Sequence, residues 1–274
     1  MPNSIILIKN TDMHLISTKK SVLAQRIDTA LNGVGWFLIS DYEPALEGMA
    51  LKKSYLALCE EIGQPIGHDR AGTVIWDIKS RGTGGDGNKV ITYSEHNHEA
   101  DLHTDSQYSE YPEDYFALLT LHKARCGGGE SYLLSLEDLL QELAATAAGR
   151  EAIEVLRTTN YPFIVPNIFR KEAGDDPEFS FGPVLRDGEI RFRVDTFEKA
   201  LEAAPHLCTS RQLSAFNLLK EHVRSSPSMK TFFLEDRDLI FINNKTMLHG
   251  RGSFQDSKRH LLRIRMNKFQ NDAV

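Results

Sequence analysis

Short apolar runs bounded by turn signals recur along almost the whole chain, and few folds accept that pattern. Trp36 to Ser40, Thr73 to Ile78, Val90 to Tyr93, Tyr115 to Lys123 and Ser131 to Leu134 each read as a strand, as do Phe163 to Val165, Ile190 to Val194, Lys230 to Leu234, Leu239 to Ile242 and Leu261 to Met266. Segments with helical spacing sit among them. These are Ser21 to Leu31 with Gly33 as its stop, Leu46 to Ile62 stopped by Gly63 and Pro65, Leu139 to Ala147 behind an N-cap at Ser135, and Ser210 to Val223 with Ser210 as the cap. Many short strands with helices at the edges predict an α+β chain. Its core would be a β-sandwich or jelly roll (a double-stranded β-helix) with N-terminal and inserted helices.

At 274 residues the chain is long enough to bury a sizeable core, and one domain spanning residues 1–274 is expected. With 32 Lys and Arg against 38 Asp and Glu, the net charge is -6, which argues against a general phosphate-binding surface and against nucleic acid as a partner. The apolar run Ile5 to Ile8 is too short for a secretory or membrane segment. The three cysteines, Cys59, Cys126 and Cys208, form no CxxC pair. This usage excludes a disulfide framework or a thiolate zinc knuckle and suits a reduced cytoplasmic protein. The glycine-rich stretch Ser80 to Asn88 reads as a loop, since neither a GK[ST] nor a G-x-G-x-x-G pattern accompanies it. A small-molecule substrate is the partner these features leave, and self-association into a homo-oligomer stays open.

The chemistry is concentrated in two places. The first is His103-Thr104-Asp105. In an extended segment residues i and i+2 share a face, so an imidazole and a carboxylate project together and can bind one metal ion. A histidine from a distant strand would complete a two-histidine, one-carboxylate triad, which leaves coordination positions open and suits non-haem Fe(II). Taken alone, the motif is equally a surface or core histidine beside an acid. The second place is the C-terminal stretch. An apolar strand from Leu239 runs into Asn243-Asn244 and then His249-Gly250-Arg251, and Arg259, Leu261, Arg263 and Arg265 alternate with His260, Leu262, Ile264 and Met266. A strand there puts three arginines on one face. That face is either a solvated basic edge or, because Arg263 lies in an apolar run, a buried cation needing a carboxylate such as a bound dicarboxylate.

HTD at 103–105, GGGES at 127–131, LHGRGSF at 248–254 and KRHLLR at 258–263 together resemble the taurine dioxygenase/clavaminate synthase-like family of Fe(II)/2-oxoglutarate oxygenases, most closely its amino-acid hydroxylases. The order and the 146-residue interval between His103 and His249 match the family's habit, and the resemblance covers roughly residues 95–268. It implies that His103, Asp105 and His249 are the metal ligands and the catalytic centre. It implies Fe(II) as cofactor, with 2-oxoglutarate and O2 as co-substrates. Ser131 and Arg259 then fall where the family binds the distal carboxylate of 2-oxoglutarate. Arg263 falls on an arginine serving substrate acid groups or the co-substrate. Asn243 departs from the aspartate that relatives often carry before an asparagine. Because Asp105 keeps its carboxylate, the resemblance implies hydroxylation or desaturation rather than halogenation.

The implied substrate is a free L-amino acid, with a basic one such as lysine as first choice, or an amino-acid derivative. Sulfonates and other small carboxylic acids are the alternatives within the family. Arg70, Trp76 and Glu99 are the expected substrate contacts: Arg70 for a carboxylate, Glu99 for an amine. A zinc hydrolase built on His96, His98, Asp101 and His103 is a rival, but the spacing departs from the H-x-H-x-D-H cluster such enzymes use. A catalytically idle binding protein of the same fold is a second rival, against which the intact triad and both arginines argue.

Overall fold

The computed structural model describes residues 7–8, 18–69, 71–79, 96–170 and 176–269. The first part of the chain forms β1 (Leu7–Ile8), α1 (Thr18–Asn32), β2 (Trp36–Ile39), α2 (Gly48–Ile62), β3 (Gln64–Ile66) and β4 (Trp76–Lys79). The middle forms β5 (Ala100–His103), β6 (Tyr115–His122), β7 (Ser131–Ser135), α3 (Leu136–Ala144) and α4 (Ala147–Thr158). Next come β8 (Tyr161–Ile164), β9 (Phe179–Gly182), β10 (Leu185–Arg186), β11 (Glu189–Ile190), α5 (Val194–Ala203) and α6 (Ser210–Ser225). The chain closes with β12 (Lys230–Phe232), β13 (Leu239–Asn243), β14 (Met247–Arg251) and β15 (His260–Asn267).

Seven strands make one sheet in the order β1-β2-β13-β6-β15-β3, with β4 also pairing β15. Four make another in the order β12-β7-β14-β5. All pairings except β1 with β2 are antiparallel. Strand alternation explains how these sheets stack. On β13, Leu239 and Phe241 pack towards α1 and α2, while Ile240 and Ile242 turn the other way to meet Leu133 of β7 and Met247 of β14. On β15, Leu262, Ile264 and Met266 join the helix side and Leu261 the inter-sheet side. The outer face of the smaller sheet, through Leu134 and Leu248, is covered by α3 to α6. The result is helices, large sheet, small sheet, helices, with apolar layers between.

The β15 arginines therefore do not lie on a solvated edge. The strand is hydrogen-bonded on both sides, and Arg263 and Arg265 share the inter-sheet face with Leu261. Other expectations shift for local reasons. The helix expected through Ala147 ends at Ala144, because the Thr146 hydroxyl caps a new helix, accepting from the Gly149 N–H at 2.9 Å. Ser135 caps α3 as expected, but α6 is capped by Thr209, whose side chain and that of Gln212 form a reciprocal capping box. The strand expected over Ile190 to Val194 stops at Ile190, and Val194 begins α5. The backbone between is used elsewhere: Phe192 accepts from the Thr104 N–H at 2.8 Å and donates to the Thr104 hydroxyl at 3.1 Å. The glycine-rich stretch and the Val90 to Tyr93 run lie outside the described residues.

Candidate metal centre

Antiparallel register brings the two histidines together. His103 at the end of β5 lies directly opposite His249 of β14, and their rings are 4.4 Å apart between centroids. Phe116 of β6 packs against His249 at 4.5 Å, so the larger sheet closes over the pair. Past His103 the chain leaves the strand, and Asp105 is held by a neighbour the sequence did not single out as functional. Asn244 accepts from the Asp105 N–H at 2.8 Å and donates to the Asp105 and Glu113 carbonyls at 3.1 and 3.0 Å. Its visible signal was a polar interruption at the end of the β13 apolar run. Asn243, next to it, donates from its side-chain amide to the Leu31 carbonyl at 3.0 Å, a bond that an aspartate could not make.

His103 Nδ1 lies 2.7 Å from the Asp101 carbonyl. A carbonyl only accepts, so Nδ1 carries a proton, and in the neutral ring Nε2 presents the lone pair. Asp105 Oδ1 is 3.6 Å from His103 Nε2 and 3.9 Å from His249 Nε2. These separations are too long for good hydrogen bonds and short enough for one ion to bridge. Ligand atoms of the three residues lie within 4.8 Å of one another, and theirs is the metal-type cluster found among the described residues. Burial, then the neighbouring His103, push His249 well below the usual histidine range, so it stays neutral. Burial raises Asp105, yet Arg263, His103 and His249 together hold it well below the usual carboxylate range. Two imidazoles and one ionised carboxylate match the donor set for a divalent transition metal, and the nitrogen–oxygen mixture suits Fe(II).

Arg263 does not wait for an external acid. Its Nη1 donates to Asp105 Oδ2 at 3.0 Å, and its Nε donates to His68 Nε2 at 3.3 Å. His68 must then carry its proton on Nδ1, which faces the Thr73 carbonyl at 3.3 Å. Burial, then Arg263 and Arg265, push His68 down to about 3, consistent with a neutral acceptor. Arg265 pairs with buried Glu113 at 2.9 Å. Arg259 differs. It is buried, stacks over Phe254 at 4.9 Å, and has no acid partner among the described residues. Burial and the nearby Arg251 push its pKa down, the sign of a cation lacking a counter-charge. Its Nε lies 3.8 Å from where a Cβ on Gly129 would stand, and Gly129 has φ +85°. Glycine at that turn thus satisfies a backbone that other residues adopt only with strain. Half-buried Ser131 follows at the start of β7, opposite Arg251.

Residues 14–265 match the family model described as taurine catabolism dioxygenase TauD, TfdA family. The chain belongs to this family of dioxygenases. Among solved structures it resembles an asparagine oxygenase in complex with Fe(II), 2S,3S-3-hydroxyasparagine and succinate, with 16% identity, a TM-score of 0.69, and coverage of 90% of this chain and 79% of that one. It also resembles the non-heme iron oxygenase OrfP in complex with Fe and alpha-ketoglutaric acid, with 17% identity, a TM-score of 0.64, and coverage of 92% and 80%. OrfP in complex with Fe and L-Arg matches at 18% identity and a TM-score of 0.61, covering 92% and 80%. No curated protein matches the chain.

A cavity of about 740 Å³ opens beside this candidate centre and includes Asp105 in its lining. Thr104, Tyr108, Phe169, Arg191 and Lys245 also line it, and Tyr108 stacks on Phe169 at 4.9 Å. Of the expected substrate contacts, Trp76 and Glu99 are not among its lining residues. Trp76 lies on β4 opposite Arg263 and stacks on His68 at 5.7 Å. Exposed Glu99 lines a separate cavity of about 340 Å³ with Asp101, Lys220 and Arg224. Arg70 lies outside the described residues. The rival cluster does not assemble. The His96 and His98 carbonyls accept from Arg251, and Asp101 faces Arg224 at 3.5 Å. No helix among the described residues is long and apolar enough to cross a membrane.

Proposed function

We propose that this chain is an Fe(II)- and 2-oxoglutarate-dependent dioxygenase that hydroxylates an unactivated C–H bond of an amino acid or amino-acid derivative. We read it as one domain over residues 1–274 on a jelly-roll core, working in the cytoplasm. The two face-to-face, largely antiparallel sheets support the core assignment. The observation that carries the function is the largely buried His103–Asp105–His249 cluster, with a buried guanidinium at Arg259 that no described acid neutralises. The substrate class follows the structural relatives, which hold hydroxyasparagine or L-Arg.

When bound, iron and 2-oxoglutarate supply the oxidation: one oxygen atom of O2 enters the C–H bond, and the other leaves with 2-oxoglutarate as succinate and CO2. The chain's own residues do the positioning. His103 and His249 would offer their Nε2 atoms, and Asp105 its Oδ1. Arg263 holds Oδ2, so Asp105 cannot swing both oxygens onto the ion. Arg259 meets the distal carboxylate of 2-oxoglutarate, with the Ser131 hydroxyl as its second contact. Lined by Tyr108 and Phe169, the cavity limits how a substrate approaches.

The test is a screen of the common amino acids and simple derivatives with Fe(II), 2-oxoglutarate and ascorbate. Succinate release coupled to a mass gain of one oxygen atom is expected. A product lighter by two hydrogens would reassign the reaction to desaturation. No succinate release with any substrate, and none without, would reject the dioxygenase.

A further inference from the structure

We propose that Arg191 and Arg186 form an anion site in the wall of the cavity beside Asp105, and that the substrate carries an acidic group remote from the C–H bond it presents for oxidation. This rests on the dioxygenase reading and deepens it by naming the substrate's charge. The two side chains converge on Gly182 at the end of β9. A Cβ there would stand 2.5 Å from Arg191 Nη1 and 3.7 Å from Arg186 Nη2. Glycine there leaves Arg191 Nη1 its present place against the strand, with Arg186 Nη2 close by, and both line the cavity that includes Asp105.

Neither arginine has a carboxylate among the described residues. Arg191 is held by neutral acceptors: its Nε donates to the Gln107 carbonyl, and its Nη2 donates to the Ser180 hydroxyl at 2.7 Å. Its guanidinium carbon lies 4.7 Å from the centroid of the Phe163 ring. Burial, then the charge of Arg186, push the Arg191 pKa down, as expected where a partly buried cation lies near a like charge. The cavity's acids are engaged or exposed. Glu189, directly opposite Arg186 across the β10–β11 pair, is exposed and faces Lys245 at 3.8 Å, Asp105 is taken by Arg263, Glu178 is itself engaged, and Glu110 is exposed. A carboxylate placed between the two guanidiniums would supply the missing counter-charge in a partly desolvated place.

The arrangement also has a register. The Arg191 bond ends on Gln107, two residues past Asp105, so the anion site is tied to the segment that supplies the carboxylate of the metal centre. Val165, Val184 and Ile190 line the same cavity and suit a short hydrocarbon linking the acid to the oxidised carbon. A lysine-like side chain would instead meet like charge here. The substrate class is therefore an amino acid or derivative with an acidic side chain.

The decisive comparison uses pairs that differ in charge and hardly in shape: L-glutamate with L-glutamine, and L-aspartate with L-asparagine. Binding to the anaerobic enzyme loaded with Fe(II) and 2-oxoglutarate is measured by calorimetry. At least one acid is expected to bind about tenfold or more tightly than its amide. In Arg191→Gln the preference should fall below about threefold. Arg186→Gln, at an exposed position where folding is not at stake, should reduce it in the same direction, and Arg191→Lys should retain part of it. Equal affinities for acid and amide, no binding by either acid, or an unchanged preference in both glutamine variants would overturn the proposal. The visible absorption of the iron–2-oxoglutarate chelate separates the two levels. If it forms in the wild type, only the anion site has failed; if it does not, the dioxygenase reading fails as well.

Discussion

Asn244→Ala is the substitution with the clearest structural arithmetic. The side chain satisfies three backbone groups in a buried place: the N–H and C=O of Asp105 and the C=O of Glu113. Each such bond contributes about 1 kcal/mol net, and up to about 3 kcal/mol where the orphaned partner stays buried, so the loss should be about 3 to 5 kcal/mol. That is a large share of a typical stability of about 5 to 15 kcal/mol. The metal centre should suffer too, because Asp105 lies beyond the end of β5 and this side chain pins its backbone on both sides. A drop of about 10- to 100-fold in Fe(II) affinity is expected. Asn244→Asp should be no better, since a carboxylate still accepts from the Asp105 N–H but donates to neither carbonyl. Urea unfolding of the metal-free protein reads the first effect, and anaerobic metal titration the second. An Asn244→Ala protein with unchanged midpoint and unchanged metal affinity would refute the bracing role.

Three further outcomes follow from the same site. Arg259→Ala should weaken 2-oxoglutarate binding by about 2 kcal/mol or more, read as its apparent affinity in succinate release; no change would remove that role from Arg259. In saturating chloride the wild type should hydroxylate and not chlorinate, while Asp105→Gly should lose hydroxylation and gain little or no halogenation, read by product mass; a chlorinated wild-type product would show that Asp105 is not a ligand. The metal-free protein should lose stability as pH falls below about 6.5, the unfolded-state value for histidine. His68 and His249 resist protonation only when folded, so the unfolded chain binds more protons there and each group contributes a slope of up to about 1.4 kcal/mol per pH unit. For His68 that slope runs down to its folded value of about 3, and in His68→Gln the midpoint measured from pH 7 to 5 should change less steeply.

The alternation over residues 259–266 was legible because both faces of β15 are occupied in register. Leu262 and Ile264 point to one layer, while Leu261 and Arg263 point to the other. What Arg263 would meet was not legible. Its partner, Asp105, lies 158 residues away, and an arginine in an apolar run looks the same whether it awaits a ligand or a side chain. His103 and Asp105 were readable as a pair, but β14 was not readable as a strand. Its sequence, MLHGR, interrupts the apolar pattern that marks β13. The start of α5 was mistaken for strand because Ile190, Phe192 and Val194 alternate, and only the pairing of Phe192 with Thr104 explains why the alternation forms no regular sheet. Arg191 and Arg186 carried no local signal. Their meaning depends on a bare glycine on another strand, which no spacing rule connects to them.

The central claim is that His103, Asp105 and His249 hold Fe(II) in a form that 2-oxoglutarate completes. Anaerobic titration of the metal-free protein with Fe(II) and then 2-oxoglutarate, followed by visible absorption, tests it directly. Saturation at one ion per chain is expected, with a chelate absorption that needs both additions and is lost in His103→Ala and in His249→Ala. Absorption that persists in both variants, or a wild type that binds zinc but gives no 2-oxoglutarate-dependent signal with iron, would contradict it.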